Sequence, residues 1–257
     1  MNVSPAFKYL PFLFLLLSRC GPIHAQDSIR AQPFIATSSG PNGGGEHFEW
    51  KGALIDSSIF MGIEHGFRLV KDSEVRGALR GPFFSDYFDS IRNIGGWDDG
   101  DNIRTNYVGH PLSGSIVGFI QVRHDPRYRA VEFGDGTRYW KSRMKAMAFT
   151  AAYSLEFEIG PVSEASIGNI QQDPSKHGVV DWVITPALGT AWMVAEDITD
   201  RYVIRALERH TRNRVAIYFE RSFLNPTRSL SNLLGRRRPW QRDDRPGVDF
   251  VAHSANN

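Results

Sequence analysis

The sequence predicts a mainly α-helical protein: a compact bundle of small-residue-rich helices with a charged C-terminal surface helix. Three observations carry this. The segments His110 to Val122, Trp140 to Glu158 and Val180 to Glu196 are each longer than an ordinary strand, and alanine, glycine, leucine and methionine outweigh β-branched residues in the middle one. The alternating segments of about ten residues that an outer-membrane barrel needs are not found. None of the apolar runs reaches the roughly 20 residues of a membrane-spanning helix.

Taken in order, Lys8, the apolar run "YLPFLFLLLS" and "GPIHAQ" with Ala25 before the cut read as a secretory signal peptide over residues 1–25. Cys20 lies inside it, in "LLSRCG". Lipoprotein processing at Cys20 is the less favoured route, because Arg19 stands where the processing enzyme expects a small residue. With a cut after Ala25 the mature chain has no cysteine, which excludes disulfides and thiolate metal sites. Residues 26–48, with "TSSGPNGGG", read as a flexible leader. A helical domain over 49–224 and a basic C-terminal tail over 225–257 complete the expected organisation.

Within the domain, "ALIDSSIFMGIEHGFRLVKD" places Ile55, Ile59, Gly62, Ile63 and Gly66 on one side of a helix. "RGPFFSDYFDSIRNIGGWDDGD" reads as a short helix between irregular stretches. After the three small-residue segments, Asp197 to Phe223 reads as one surface helix with Val203, Leu207, His210 and Val215 towards the bundle. Asn225 before Pro226 marks a restart, and Gly235 ends the short helix that follows.

Charge is unevenly distributed. Loss of Lys8 and Arg19 brings the formal charge from +2 to neutrality, yet Arg201 to Arg245 holds 12 arginines against four acids, a formal +8. Such a stretch suits an anionic membrane surface, and Arg236, Arg237 and Arg238 in "GRRRPW" are candidates for headgroup binding. Export leaves nucleic acid a poor partner; an anionic membrane surface or another envelope protein is expected instead.

Candidate chemistry centres on "NYVGHPLSGSIVGF". Pro111 suits the first turn of a helix. Gly114 and Gly118 fall on the His110 side, where two interior glycines, each costing about 1 kcal/mol, imply close approach of another backbone. The expected partner is the line Ala148, Ala152 and Glu156, and Asp181, Thr185 and Gly189 repeat the spacing on the third helix. Facing one another, these sides would bring His110, Glu156 and Asp181 together, as a general base with its orienting acids or as ligands of a divalent metal. Mutual satisfaction of polar groups at helix ends is the plainer reading of the same trio, and the sequence identifies no cofactor.

Other features are weaker. "WDDGDN" has acids at the spacing of a calcium loop but lacks the later ligands, so a solvated turn is expected. His65 beside Glu64 reads as a core or surface histidine, and Glu164 as part of a loop or helix start. A serine nucleophile elbow, a phosphate loop and a dinucleotide fingerprint are absent.

"NYVGHPLSGS", "SLEFEIGPVSEAS" and "DWVITPALGTAWMVAED" together resemble an uncharacterised bacterial domain family of envelope proteins, with an Asn-Tyr-x-x-His-Pro-x-x-Gly segment, over roughly residues 97–200. On this resemblance His110, Glu156, Asp181, Thr185 and Glu196 match polar positions of the pattern. The chain departs from it at Ala195, where the family has glycine, and in the charged insertion "RHDPRYRAVEFGDGTRYW". The resemblance brings no established activity. The expectation is therefore an exported, non-catalytic helical module at a membrane surface or against an envelope partner. The alternative is a lipid or phosphate-ester hydrolase using His110 with Glu156 and Asp181.

Overall fold

A computed structural model describes residues 47–71, 73–167, 178–211 and 213–245. The expected signal peptide with Cys20, all but the last residues of the leader, and the chain from Pro246 onward lie outside the described residues. Those described belong to one unit, are predominantly helical and include no strand. The helices are α1 (Trp50–Lys71), α2 (Ser73–Ala78), α3 (Phe83–Arg92), α4 (His110–Arg123), α5 (Thr137–Ile159), α6 (Val180–Thr199), α7 (Arg205–His210), α8 (Arg214–Phe223) and α9 (Pro226–Leu234). Single π-helical turns, Thr105–Gly109 and Asp200–Ile204, lead into α4 and out of α6.

The uncharged run becomes the centre of the bundle. Every residue of α4 from Gly114 to Arg123 is buried, as expected of a helix without a polar face. It packs against α1, α5, α6 and α9. Ile116, Val117 and Ile120 join Phe60, Met61, Tyr153 and Phe157 in one cluster, and Phe119 and Val122 join Ala146 and Met193 in another.

The two glycines do mark a close helix crossing, but their partner is α6 and not the alanine line of α5. A Cβ on Gly114 would stand 2.1 Å from the carbonyl oxygen of Thr185, and one on Gly189 would stand 2.8 Å from the carbonyl carbon of Gly114. Gly118 lies under the sulfur of Met193. Ala148 and Ala152 are exposed. The inward line of α5 is Ala146, Thr150 and Ser154, half a turn round the helix. The Thr150 hydroxyl donates to the Gly114 carbonyl (3.2 Å) and the Ser154 hydroxyl to the Asp181 carbonyl (3.1 Å). Small side chains that can also donate hold α5 against backbone that alanine would only touch.

Apolar and polar residues are partly exchanged between inside and outside. On α1, Ile55, Ile59 and Ile63 keep 49%, 42% and 38% of their surface exposed, while Asp56, Ser57 and His65 are buried on the opposite side. Val203, Leu207 and Val215 also point outward, contrary to the expected orientation of a single Asp197 to Phe223 helix. That stretch is in fact interrupted: the chain is extended at Thr211, and Asn213 caps α8 by accepting from the amides of Val215 and Ala216.

The acids on the inner side of α6 and at the start of the π-turn after it explain why residues 225–245 are not a free tail. Asp197 accepts from the Tyr139 hydroxyl (2.8 Å) and Arg143 Nε (2.7 Å) and pairs with Arg228. Asp200 is held by Arg242 (3.0 Å) and Arg245 (2.8 Å). Glu196 accepts from the Thr227 amide (3.0 Å), the Thr227 hydroxyl (2.8 Å) and the Arg228 amide (3.2 Å), so it caps the start of α9 from another helix. The described part of the expected basic tail, residues 225–245, is thus packed as α9 and a following segment whose Arg242 is buried. Of the headgroup candidates, Arg237 pairs with Asp243 (3.1 Å), while Arg236 and Arg238 are exposed.

Candidate functional site

One end of the bundle gathers the acids. The π-turn before α4 buries Asn106 and delivers His110 at the helix start, where His110 Nε2 lies 3.1 Å from Asp181 Oδ2 in the first turn of α6. Two of the three residues expected to converge therefore do so. Glu156 does not: its carboxylate lies over Gly160 at the end of α5. Glu158 takes that place. It continues the inward line of Ala146, Thr150 and Ser154, and it lines a cleft with Asp99, Asp101, Glu164, Asp181 and Arg68.

"WDDGDN" is for the most part the exposed turn expected, with Asp99 alone of the six residues buried. Gly178 presses on the backbone of Trp97 and Asp98, and the Val180 amide donates to the Trp97 carbonyl (3.2 Å), which fastens the loop to the start of α6. Gly100 has φ +83°, a conformation glycine adopts without steric cost, and its amide donates to Asp98 Oδ1 (3.0 Å). Asp99 turns inward, accepting from Asn106 Nδ2 (2.8 Å) and the Asp101 amide (2.9 Å). From α1 come Glu64, which accepts from the hydroxyls of Ser113 and Tyr153 (both 2.6 Å), and Arg68, which pairs with Glu164.

Burial pushes these carboxyls up, and their mutual repulsion adds to it. Asp181 is raised to about 9, first by burial and then by Glu158 and Asp99. Glu158 is raised to about 8 by burial, with Arg68 opposing and the neighbouring acids adding. Glu64 is raised to about 7 by burial against its two hydrogen bonds. Burial lowers His110 to about 4. His110 and Asp181 touch, and between those limits the two together hold one proton, which the raised Asp181 keeps. Across the neutral range the pair keeps that one proton, taking up a second only near 4 and losing the first only near 9.

His65 is a core residue, stacked on Phe157 with centroids 4.6 Å apart and its Nε2 3.2 Å from the Val162 carbonyl. Of the polar positions singled out by resemblance, Glu196 is the cap described above and Thr185 belongs to the helix crossing. Sequence reasoning missed Glu64, Arg68, Asp99, Asp101 and Glu158. The hydroxyl line of α5, at the same four-residue spacing as the alanines, was the available signal for Glu158. Among the described residues no three His, Asp or Glu side chains are placed to hold a metal ion. The chain matches no known family model, no characterised protein and no solved structure.

Proposed function

We propose that the chain is an exported envelope protein that works at a membrane surface as a helical module without catalysis. The outward apolar residues support this reading best. Ile55, Ile59, Ile63, Phe67 and Val70 run along the free side of α1, and Phe83, Phe84 and Phe88 stand exposed on α3. Large exposed apolar side chains grouped along helices, rather than scattered singly, mark surfaces made to be covered. No helix among the described residues is long and apolar enough to cross a membrane, so the contact proposed is with the surface.

The pairing of the C-terminal arginines changes the expected role of charge. Arg228, Arg242 and Arg245 are spent on Asp197 and Asp200, so anionic lipid is expected to strengthen binding only modestly. Flotation with neutral phosphatidylcholine vesicles tests this, using the purified chain and an Ile59→Asp/Ile63→Asp variant. Binding by the wild type, lost in a variant with unchanged circular dichroism, supports the reading. A wild type that stays at the bottom of the gradient with neutral and anionic vesicles alike sinks it.

The 3.1 Å approach of His110 to Asp181 favours a second reading, hydrolysis of a lipid ester with His110 and Asp181 exchanging the proton and Glu158 beside them. The carboxylates around the cleft weigh against a phosphate ester, whose charge they would repel. Loss of esterase activity in a stably folded His110→Ala variant would support it, and an inactive wild type across neutral esters would remove it.

A further inference from the structure

We propose that α6 pairs with α6 of a second copy of the chain, antiparallel, about a two-fold axis at Ala191. The helix carries no charged residue between Asp181 and Glu196. Its inner side, from Asp181 through Thr185, Gly189 and Met193 to Asp197, is buried in the bundle. The opposite side is apolar as well. Val183, Leu188 and Ile198 keep 47%, 37% and 38% of their surface exposed, and Ala187, Ala191 and Ala195 are exposed between them. A surface helix with an apolar outer face of this length presents a surface made to be covered.

The order of residues along that face identifies what covers it. Outward from Ala191, the next residues on the same side are Ala187 in one direction and Ala195 in the other, then Ile184 and Ile198, with Leu188 and Val194 at the flanks. Members of each pair are equally far from Ala191 in sequence, so they lie at equal angles to its two sides, and the face reads the same in both directions. An isologous contact needs that property, because residue i meets j while j meets i. Turned about an axis at Ala191, the second copy sets its Ile198 against Ile184, its Ala195 against Ala187 and its Ala191 against Ala191. The lack of charge fits the same partner: a charge on this face would be brought close to a like charge of the other copy.

The alanines favour a helix over lipid as the covering surface. Small side chains along the centre of a helix let a second backbone approach to about 8 Å, with Ile184, Leu188 and Ile198 packing at the sides. Acyl chains gain nothing from that closeness, and they have no residue order to match. The outer side of α5, which packs against α6, adds Met144 and Leu155, 50% and 40% exposed, and the exposed Ala148. Side by side the two helices offer a surface roughly 30 Å long and roughly 20 Å wide, on the order of 600 Å², near the roughly 800 Å² that each partner of a stable dimer contributes. The pairing uses none of the outward residues of α1 or α3 and needs neither the membrane contact nor catalysis.

Sedimentation equilibrium of the purified chain and of Ala191→Arg is the first test. Expected are a wild-type dimer and a dissociation constant raised at least about tenfold in the variant, with circular dichroism unchanged. Disulfide cross-linking on a Cys20→Ser background tests the geometry and does not depend on the arginine variant folding. Ala191→Cys should link to itself under mild oxidation. Ala187→Cys should not, because its two copies stand roughly 12 Å apart along the axis, yet it should link to Ala195→Cys when the two variants are mixed. A monomeric wild type, a dimer that Ala191→Arg leaves intact, or self-linking of Ala187→Cys equal to that of Ala191→Cys would each overturn the pairing. So would a monomer whose flotation with vesicles falls in Ala191→Arg, which assigns the face to lipid.

Discussion

Raising the pH from 6.5 to 9 should destabilise this protein progressively, and the His110–Asp181 pair sets the size of the effect. In the folded chain the pair keeps one proton from about pH 4 to about pH 9. In the unfolded chain the aspartate has lost its proton below pH 5 and the histidine loses its own near 6.5. Below about 6.5 the two states bind equal numbers of protons, and stability does not depend on this pair. Above it the folded state holds one proton more, so stability falls as pH rises, by about 1.4 kcal/mol per unit, until the folded pair ionises near 9. The loss is about 3 kcal/mol, an upper figure because solvent reaching the cleft screens the charge. Glu158 and Glu64, raised to about 8 and about 7, add slope in the same direction at lower pH. Urea unfolding followed by circular dichroism at half-unit pH steps, on the wild type and Asp181→Asn, isolates the pair. The variant should lose the part of the slope between pH 7 and 9. A wild type whose stability is level or rises over that window would show that the proton is not held.

The helix crossing and the buried ions give two further expectations. Gly114→Ala drives a methyl group into the Thr185 carbonyl at 2.1 Å, where only backbone can yield, and should cost at least the roughly 1–3 kcal/mol of an overpacked core; Gly62→Ala, with nothing within 4 Å, should instead stabilise α1 by about 0.5–1 kcal/mol. Thermal melts of the two variants should move in opposite directions, and a shared direction would refute the reading of the crossing. Arg143→Met leaves the buried Asp197 with Arg228 as its one cation and the Tyr139 hydroxyl as a donor, and should cost up to about 3 kcal/mol. Denaturant midpoints measure this, and an unchanged midpoint would mean that Arg143 carries little of the neutralisation.

The fold was legible because helix length and composition are local properties. His110 to Val122 lacks charge because α4 is enclosed, and the interior glycines point directly to a close crossing. Which helix fills the crossing was not legible. Alanine and threonine are both small, and only the carbonyl acceptors on α4 and α6 make Thr150 and Ser154 the better inner line of α5. That two-residue difference also separates Glu156 from Glu158, so the candidate site was found at His110 and Asp181 and missed at its third member. The direction of the α1 isoleucines was not legible for another reason: periodicity finds a stripe but does not say whether the stripe meets protein or something else. Asp99 was hidden because which residue of an exposed loop turns inward depends on what packs against it, here Gly178 and the start of α6.

The capping of α9 by Glu196 has a consequence for how the chain matures. The acids of α6 are synthesised well before Arg228, Arg242 and Arg245, which neutralise Asp197 and Asp200, and before the α9 amides that Glu196 accepts. Until those residues arrive, the inner face of α6 carries charge that water must hold, and α6 cannot seat fully against its neighbours. Completion of the bundle therefore waits for residues 225–245. A chain cut after Phe223 should accumulate as a loosened, protease-sensitive species even though α4, α5 and α6 are present in full.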